Sequence, residues 1–228
     1  MNRPALSVII PVWNGERYLG EAIESVLAQE AAPPMELIVV DDGSEDGSTA
    51  VAERFGPTVR CARIAHSGLA AARNAGLVLA RGEYLLHLDA DDVLPPRSIA
   101  ARMAEFDATD PPDLVVGQMV SFISRELDTE SAARFRLPAG PQRGGLPGAS
   151  VVCARFAGRV GDFDTSRSGS PDLDWMMRAE SLNPHVVEVS DVVLRRRIHG
   201  RNMSLRSDHS DRLASLRAAL HRRRADDG

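Results

Sequence analysis

Continuous apolar runs alternate with helical periodicity through the first half of the chain. Apolar runs of about four to eight residues predict strands buried on both faces, as in parallel sheets that helices cover. Such runs occur at residues 6–11, 36–40, 59–64 and 84–88, and the third is the weakest. This alternation of strand and helix predicts an α/β fold with a mostly parallel, doubly wound sheet flanked by helices.

Between these strands the apolar residues recur at the spacing of one helix face. Residues 19–27 predict a first helix, and Asn14 is a candidate for its N-cap. Asp46 or Ser48 is a candidate cap of a second helix, and the Ala-rich residues 67–80 predict a third. Each predicted helix connects two consecutive strands, as parallel pairing requires.

The pattern changes near Pro111-Pro112, which we take as the boundary between two halves, residues 1–112 and 113–206. The second half is predicted to be a smaller α+β unit, and an Arg-rich helix follows it at 207–228. The polar, Gly- and Pro-rich residues 125–148 give no assignment. The elements predicted in the second half are a strand at 114–123, a helix at 172–182 and one or two strands within 186–198.

The chain has 228 residues, of which 43% are hydrophobic, so it can bury a full core. No apolar run approaches the roughly 20 residues of a membrane span, and the amino terminus has no secretory signal pattern. A cytoplasmic protein is therefore expected. Cys61 and Cys153 fit reduced thiols and lack metal-binding spacing, although their positions leave a disulfide open.

All 27 basic residues are Arg, so the chain has no lysine for a Schiff base or a phosphate-binding loop. Residues 195–228 contain ten Arg and four Asp, a balance of +6, so the remaining residues carry −11 to give the net charge of −5. This tail is a candidate for peripheral contact with the inner face of a membrane. A solvated helix face is the alternative, and it is the more common use of such a charge run.

Three carboxylates follow the fourth predicted strand, at Asp89, Asp91 and Asp92. The carboxyl end of a strand is the edge at which open α/β sheets bind ligands. Carboxylates this close repel one another unless donor groups or a cation compensate, and a hard divalent ion that bridges to phosphates would do so. An acidic turn that caps a helix is the structural alternative.

The turns after the first two strands are predicted to lie side by side at the same edge. They contain Pro11, Trp13 and Asn14 after the first strand and Asp41-Asp42 after the second. A Trp ring can stack on a base, and a carboxylate can accept from a base N–H or a ribose hydroxyl. A Trp in the core and an ordinary turn are the alternatives, and the Gly-x-Gly-x-x-Gly fingerprint of dinucleotide binding is absent after the first strand.

Three further residues are candidates for chemistry. Arg73, on the third predicted helix, can reach a diphosphate or hold a carboxylate of the acidic cluster. Asp172 lies in the first turn of a predicted helix, where the helix dipole favours a carboxylate, so helix capping is its alternative role. His199 ends a strand inside an Arg cluster and is a candidate ligand of a metal or phosphate, or a structural residue.

Taken in order, these segments resemble the inverting family 2 glycosyltransferases of GT-A fold. The resemblance extends from about residue 6 to 204, and its specificity lies in the order and spacing of motifs that are individually modest. It implies that residues 1–112 bind a nucleotide-sugar donor and that 113–206 form the acceptor and catalytic half of the same domain. The matching segments are SVIIPVWNG at 7–15, ELIVVDDGS at 36–44, ARNAG at 72–76, RGEY at 81–84, LDADD at 88–92 and DLDW at 172–175.

The resemblance also implies a role for each matching residue. Asp172 matches the catalytic base, and Asp89 and Asp91 match an acidic D-x-D motif in which Asp91 is the more direct metal ligand. His199 matches a residue that closes the site and ligates metal. The implied donor nucleotide-binding residues are Pro11, Trp13, Asn14, Asp42, Arg73, Asp89 and Ala90, and the implied acceptor-side residues are Asp174, Trp175 and Arg201.

The implied reaction moves a sugar from a UDP-, GDP- or dTDP-linked donor to an acceptor, with inversion in a single displacement and with Mn²⁺ or Mg²⁺ as cofactor. The acceptor stays open among a small molecule, a glycan, a lipid-linked glycan, a peptide and a protein, and no nucleic-acid partner is expected. Family members usually have Glu directly before the base, where this chain has Pro171. Proline fits the first position of a helix but cannot bind an acceptor hydroxyl as an acid does.

Three other functions share part of this pattern. A phospho-acceptor receiver domain has similar acidic strand ends, but its usual lysine cannot exist here. A sugar nucleotidyltransferase has a Gly-rich, Arg-containing first loop, where this chain has Pro11-Val12-Trp13-Asn14. A degenerate relative that binds a nucleotide sugar or a partner without turnover is the remaining alternative. Retention of Asp91 and Asp172 argues against it, and a donor-hydrolysis assay separates the two.

Overall fold

The computed structural model describes residues 4–145, 147–166, 171–200 and 202. Within them eight strands form one sheet, and seven α-helices and three short 3₁₀ turns accompany it. The strands are β1 Leu6–Val12, β2 Met35–Asp41, β3 Val59–Arg63, β4 Tyr84–His87, β5 Leu114–Ile123, β6 Gln142–Arg143, β7 Ser150–Cys153 and β8 Val186–Ile198. The α-helices are α1 Glu16–Leu27, α2 Ser48–Glu53, α3 Leu69–Leu79, α4 Ser98–Met103, α5 Thr129–Ala133, α6 Ala154–Val160 and α7 Pro171–Ser181.

The sheet has the strand order β3-β2-β1-β4-β7-β5-β6, and β8 pairs with β5. β1 to β4 are parallel to one another and β8 is parallel to β5, whereas β7 is antiparallel to both of its neighbours. The mixed α/β fold with a mostly parallel sheet is confirmed. Because β7 lies between β4 and β5, the sheet continues from residues 1–112 into 113–206 without a break.

Alternation of side chains along β1 explains why its sequence is apolar throughout. Val8 and Ile10 belong to the core cluster under α1, whereas Ile9 belongs to the cluster under α3 with Ala72. Both faces of the strand are therefore buried, as in parallel sheets generally. The α3 helix lies very close to β1, because a Cβ at Gly76 would be 2.3 Å from Cγ2 of Ile9.

The turns after β1 and β2 are joined by hydrogen bonds, and two residues that were predicted to cap helices form these bonds. Asn14 adopts a left-handed backbone conformation, with φ of 50°, and its Oδ1 accepts the N–H of Glu45. The N-cap of α1 is Gly15, with no side-chain cap bond, so the prediction of Asn14 as a cap is wrong. Asp46 accepts the N–H of Ser48 at the beginning of α2 and the N–H of Glu16 in the other turn. The candidate caps therefore hold the two turns together.

Within the described residues, the remaining predicted elements agree with the structure to within a few residues. The strand predicted at 114–123 is β5, and residues 186–198 form the single strand β8. Cys61 and Cys153 are free thiols. No helix within the described residues has both the length and the apolar composition that a bilayer span requires. The Arg-rich tail at 207–228 lies outside the described residues.

Candidate active site

The turn after β4 brings three carboxylates together. Oxygen atoms of Asp89, Asp91 and Asp92 lie within 4.8 Å of one another. Burial raises the pKa of Asp92 well above its usual value, and the Asp91 and Asp89 carboxylates raise it further. Burial also raises the pKa of Asp89, and Arg73 only partly offsets this. A carboxylate whose pKa is raised by folding destabilises the folded state when ionised, so the cluster is suited to a cation.

Two residues after β8 contact the carboxylate of Asp91. Nε2 of His199 lies 2.9 Å from Asp91 Oδ2, and Nδ2 of Asn202 donates to the same oxygen at 3.0 Å. Oδ1 of Asn202 accepts the backbone N–H of His199 at 2.6 Å, so the amide holds the backbone of His199 beside Asp91. His199 therefore lies at the acidic cluster, where an imidazole and hard oxygen donors form a set that divalent ions accept.

Arg197, at the end of β8, holds the backbone of the acidic turn. Its N–H donates to Asp92 Oδ1 at 2.8 Å, and its Nε donates to the carbonyl of Asp91 at 2.9 Å. Its guanidinium pairs with Glu21 on α1 at 2.5 Å and lies over the ring of Tyr18 at 4.9 Å. Local sequence does not distinguish Arg197 from Arg195 and Arg196, because the pleat of β8 decides which side chain reaches the acidic turn.

Arg73 connects the acidic turn to α7. Its side chain is fully buried on α3, and its Nη2 lies 2.9 Å from Oδ1 of Asp89. Its Nη1 pairs with Oδ1 of Asp172. One buried guanidinium therefore bridges two carboxylates that are 83 positions apart in the sequence, and these are the two that the motifs assigned to the metal site and to the base.

Pro171 is the first residue of α7, as expected from its restricted backbone, and Asp172 follows it. The two other candidate residues on this helix, Asp174 and Trp175, are buried. Asp174 pairs with Arg178 at 2.9 Å, and Nε1 of Trp175 donates to the carbonyl of Gly161 at 2.9 Å. Asp174 thus faces a different partner from Asp172. The third acceptor-side candidate, residue 201, lies outside the described residues.

The side chain of Trp13 is exposed at the ligand edge of the sheet, so it is not a core residue. Its exposed fraction is 54%, and its ring stacks on His66 with the centroids 4.4 Å apart. The Asp42 carboxylate is buried, and it accepts the backbone N–H groups of Ser67 and Gly68 at 2.8 Å each. Nδ1 of His66 lies 2.9 Å from the same carboxylate. His66 thus joins the two candidate base-binding residues, although sequence analysis did not identify it.

The other candidate nucleotide-binding residues border this edge. Pro11 is a buried residue of β1, opposite Val40 of β2. Asn14 lies in the turn that is joined to the β2–α2 connection, where its N–H donates to Oγ of Ser44. Ala90 is partly buried between the two carboxylates of the D-x-D motif. Apart from Arg73 on α3, the candidate nucleotide-binding residues therefore lie along the ends of β1, β2 and β4.

An aromatic cluster lies beside Arg73 on the face of the sheet under α7. The Phe163 ring lies 5.3 Å from the Arg73 guanidinium, stacks on Trp175 and meets the edge of His87. Asn74 holds Phe163 in place, because its amide accepts the N–H and donates to the carbonyl of that residue, both at 2.8 Å. Burial, and next the charge of Arg73, lower the pKa of His87 to about 3, so its imidazole is neutral at pH 7.

Comparison with known families identifies the chain. The model of the family described as Glycosyl transferase family 2 matches residues 7–167, more than half of the sequence. The chain belongs to glycosyl transferase family 2. This confirms the resemblance found in the sequence motifs. The family match ends before α7, so it includes the acidic cluster and Arg73 but not Asp172.

Curated relatives of this family 2 chain include further glycosyltransferases. An uncharacterized glycosyltransferase of Rickettsia felis is 29% identical over 227 residues, covering 91% of this chain and 36% of the relative. Glycosyltransferase GlyG of Streptococcus pneumoniae is 32% identical over 121 residues, covering 51% of this chain and 40% of the relative. The chain therefore matches well under half of the length of these relatives.

Solved structures show that the family 2 chain has the GT-A fold. S. aureus TarS 1–349 in complex with UDP-GlcNAc has a TM-score of 0.71 and 20% identity, with 89% of this chain and 61% of that chain covered. The mannosyltransferase PcManGT from Pyrobaculum calidifontis, in complex with GDP-Man and Mn²⁺, has a TM-score of 0.61 and 21% identity, with 89% and 59% covered. At these identities the likeness concerns the fold.

Proposed function

We propose that this family 2 chain transfers a sugar from a nucleoside-diphosphate sugar to an acceptor hydroxyl, with inversion at the anomeric carbon. The observation that carries the proposal is the buried Arg73, whose guanidinium pairs with Asp89 and with Asp172. It brings a cluster suited to a metal-bound diphosphate next to a carboxylate suited to proton abstraction. The complexes of the structural neighbours with UDP-GlcNAc and GDP-Man support a donor of this class.

On the donor side, Trp13 stacks on the base and Asp42 accepts a hydrogen bond from it. The backbone donors of Ser67 and Gly68, together with His66, hold the Asp42 carboxylate in one orientation. The donor base therefore meets a preorganised edge, which limits the entropy lost on binding.

Asp91, Asp89 and His199 are the proposed metal ligands, and Mn²⁺ or Mg²⁺ fits the oxygen-rich donor set. Such an ion, when bound, supplies positive charge to the leaving diphosphate. Burial raises the pKa of Asp89 and Asp92, and neighbouring carboxylates raise it further, so their ionised forms are not fully compensated in the folded chain. This supports a cation at the acidic cluster, and Mn²⁺ in the PcManGT complex supports the choice of ion.

Asp172 is the proposed general base. Its carboxylate takes the proton of the acceptor hydroxyl while that oxygen bonds to the anomeric carbon and the bond to the diphosphate oxygen breaks. The nucleoside diphosphate leaves with the electron pair of that bond. Attack from the opposite face inverts the configuration in one displacement, so no protein nucleophile is required. Arg73 keeps the base oriented through its pairing with Asp172.

The proposal is tested by combining nucleotide binding with turnover. We expect UDP, GDP or dTDP to raise the melting temperature in the presence of Mn²⁺ and much less without it, because the diphosphate needs the ion as counter-charge. The matching nucleotide sugar should then be hydrolysed slowly in the absence of an acceptor. Stabilisation without any hydrolysis would instead support the non-catalytic, nucleotide-sugar-binding alternative.

A second measurement tests the base-binding edge. Trp13→Ala should weaken nucleotide binding by about 1–3 kcal/mol, because it removes the ring on which the base stacks. Trp13→Phe retains an aromatic face and should keep most of the affinity. The side chain is 54% exposed, so both variants should fold. Equal nucleotide affinity for the Ala variant and the parent chain in calorimetry would contradict this role.

A further inference from the structure

A cavity lies between the sheet and α7, beside the proposed base. Its volume is about 240 Å³, and its walls come from β4, β5, β7, α6 and α7. The side chains that line it are mostly apolar, including Leu85, Val116, Val152, Ala157 and Met176. An apolar wall of this kind binds apolar groups and disfavours sugar hydroxyls, because a buried hydroxyl without a partner costs free energy.

Some polar side chains interrupt the apolar lining, namely His87, Arg143, Ser150, Asp172 and Glu180. Asp172 is the carboxylate proposed as general base. His87 is 8% exposed, and its Nδ1 is enclosed by protein atoms and has no hydrogen-bond partner within the described residues. The cavity therefore combines a mostly apolar wall with the carboxylate of the proposed base.

The wall of the cavity is held in place without a ligand. Phe163 and Trp175 both line it and stack on each other with centroids 5.6 Å apart. Asn74 fixes the backbone of Phe163 through two hydrogen bonds, and Trp175 is anchored on the carbonyl of Gly161. The space is thus formed by the fold itself, which favours binding because little has to be ordered.

We propose that this cavity binds an apolar group of the acceptor, an aryl or alkyl group directly next to the hydroxyl that Asp172 deprotonates. The inference rests on the proposed function, since it names the acceptor class for the same base. An engineered apolar cavity of about 150 Å³ takes up benzene. The larger cavity here therefore accommodates one aromatic ring with short substituents, or a short branched alkyl chain.

The probes are benzyl alcohol and 3-methylbut-2-en-1-ol, with glycerol as the polar control, titrated by ligand-observed NMR. We expect both apolar alcohols to bind at least about tenfold more tightly than glycerol, since their carbon atoms bury apolar surface in the cavity and glycerol would bury hydroxyls. Ala157→Leu fills the cavity and should weaken their binding by about tenfold. Val78→Leu, on the exposed face of α3, is the matched control and should stay within about twofold.

A second variant guards against misfolding in the first. Met176→Gln keeps the length of the side chain and its helix propensity but makes the wall polar, so it should also weaken both alcohols several-fold. Binding of the alcohols that is equal in the parent chain, Ala157→Leu and Met176→Gln would overturn the proposal. So would parent binding no tighter than that of glycerol.

A further titration, with farnesol, distinguishes a lipid-linked acceptor from a soluble one. Farnesol carries a chain too long for the cavity, so tight farnesol binding indicates a lipid-linked acceptor whose chain leaves the cavity, whereas preference for benzyl alcohol indicates a soluble aryl acceptor. Donor hydrolysis is measured on the same samples with UDP-, GDP- and dTDP-sugars. Hydrolysis with no binding of any apolar alcohol overturns the acceptor proposal alone, and alcohol binding without hydrolysis overturns the proposed function and the acceptor assignment with it. A benzyl glycoside detected by mass spectrometry supports both.

Discussion

Asp172→Asn is expected to lower the rate of sugar transfer by about 10²–10⁴, because the amide cannot take the proton of the acceptor hydroxyl. Donor binding should persist, since all the residues proposed for the donor except Arg73 lie at the ends of β1, β2 and β4. The measurement is single-turnover transfer together with calorimetry of the nucleoside diphosphate in Mn²⁺. An Asn variant that transfers sugar at the parent rate would remove Asp172 from the role of base.

The structure also makes this variant informative about stability. Arg73 is fully buried and pairs with Asp172, so neutralising that carboxylate leaves part of a buried positive charge without its counter-charge. A lower melting temperature is therefore expected. Asp174→Asn is the control on the same helix, because that carboxylate pairs with Arg178 instead. It should transfer at nearly the parent rate, and loss of transfer in Asp174→Asn with retention in Asp172→Asn would reverse the assignment.

Asp91→Asn should reduce Mn²⁺-dependent affinity for the nucleoside diphosphate by at least about 100-fold. Mutation of a residue that only orients a metal ligand typically lowers metal affinity by about 10- to 100-fold. Loss of a charged ligand should lower it at least as much. The residual affinity without Mn²⁺ should be the same in variant and parent. Asp110→Asn is the charge-matched control, because the Asp110 carboxylate is exposed and lies 3.8 Å from Nδ1 of His185. Equal Mn²⁺-dependent affinity and stoichiometry in Asp91→Asn would rule out the ligand role.

Local sequence was sufficient to predict the parallel strands, because these strands are buried on both faces. Such strands have continuous apolar sequences, and the predicted bounds of β1, β2 and β4 agree with the structure within one or two residues. Helix caps were less predictable. Asn14 is a good capping residue by type, but its side chain reaches across to Glu45 in the neighbouring turn. A partner that is distant in sequence leaves no local signal, so tertiary contact overrode local preference.

The same distinction separates the predicted site residues from those that were missed. Asp91 and Asp172 stand in motifs with characteristic spacing, so they were singled out from the sequence. His66 acts by holding Asp42, and the sequence has no pattern for such support. Asn74 stands in the ARNAG motif, but nothing in the motif predicts that it holds Phe163. Which Arg of a run faces the site depends on the pleat and register of β8, which pairing with β5 decides.

The contacts of Arg197 have a consequence for the order of folding. Its backbone bond to Asp92 joins residues 105 positions apart, and its pairing with Glu21 joins residues 176 apart. Closing the chain over such separations costs conformational entropy, so these contacts are stable only once the intervening elements are folded. The acidic turn is therefore completed only when β8 has docked beside β5. A ligand that binds this turn selects chains that have finished folding and shifts the folding equilibrium towards them.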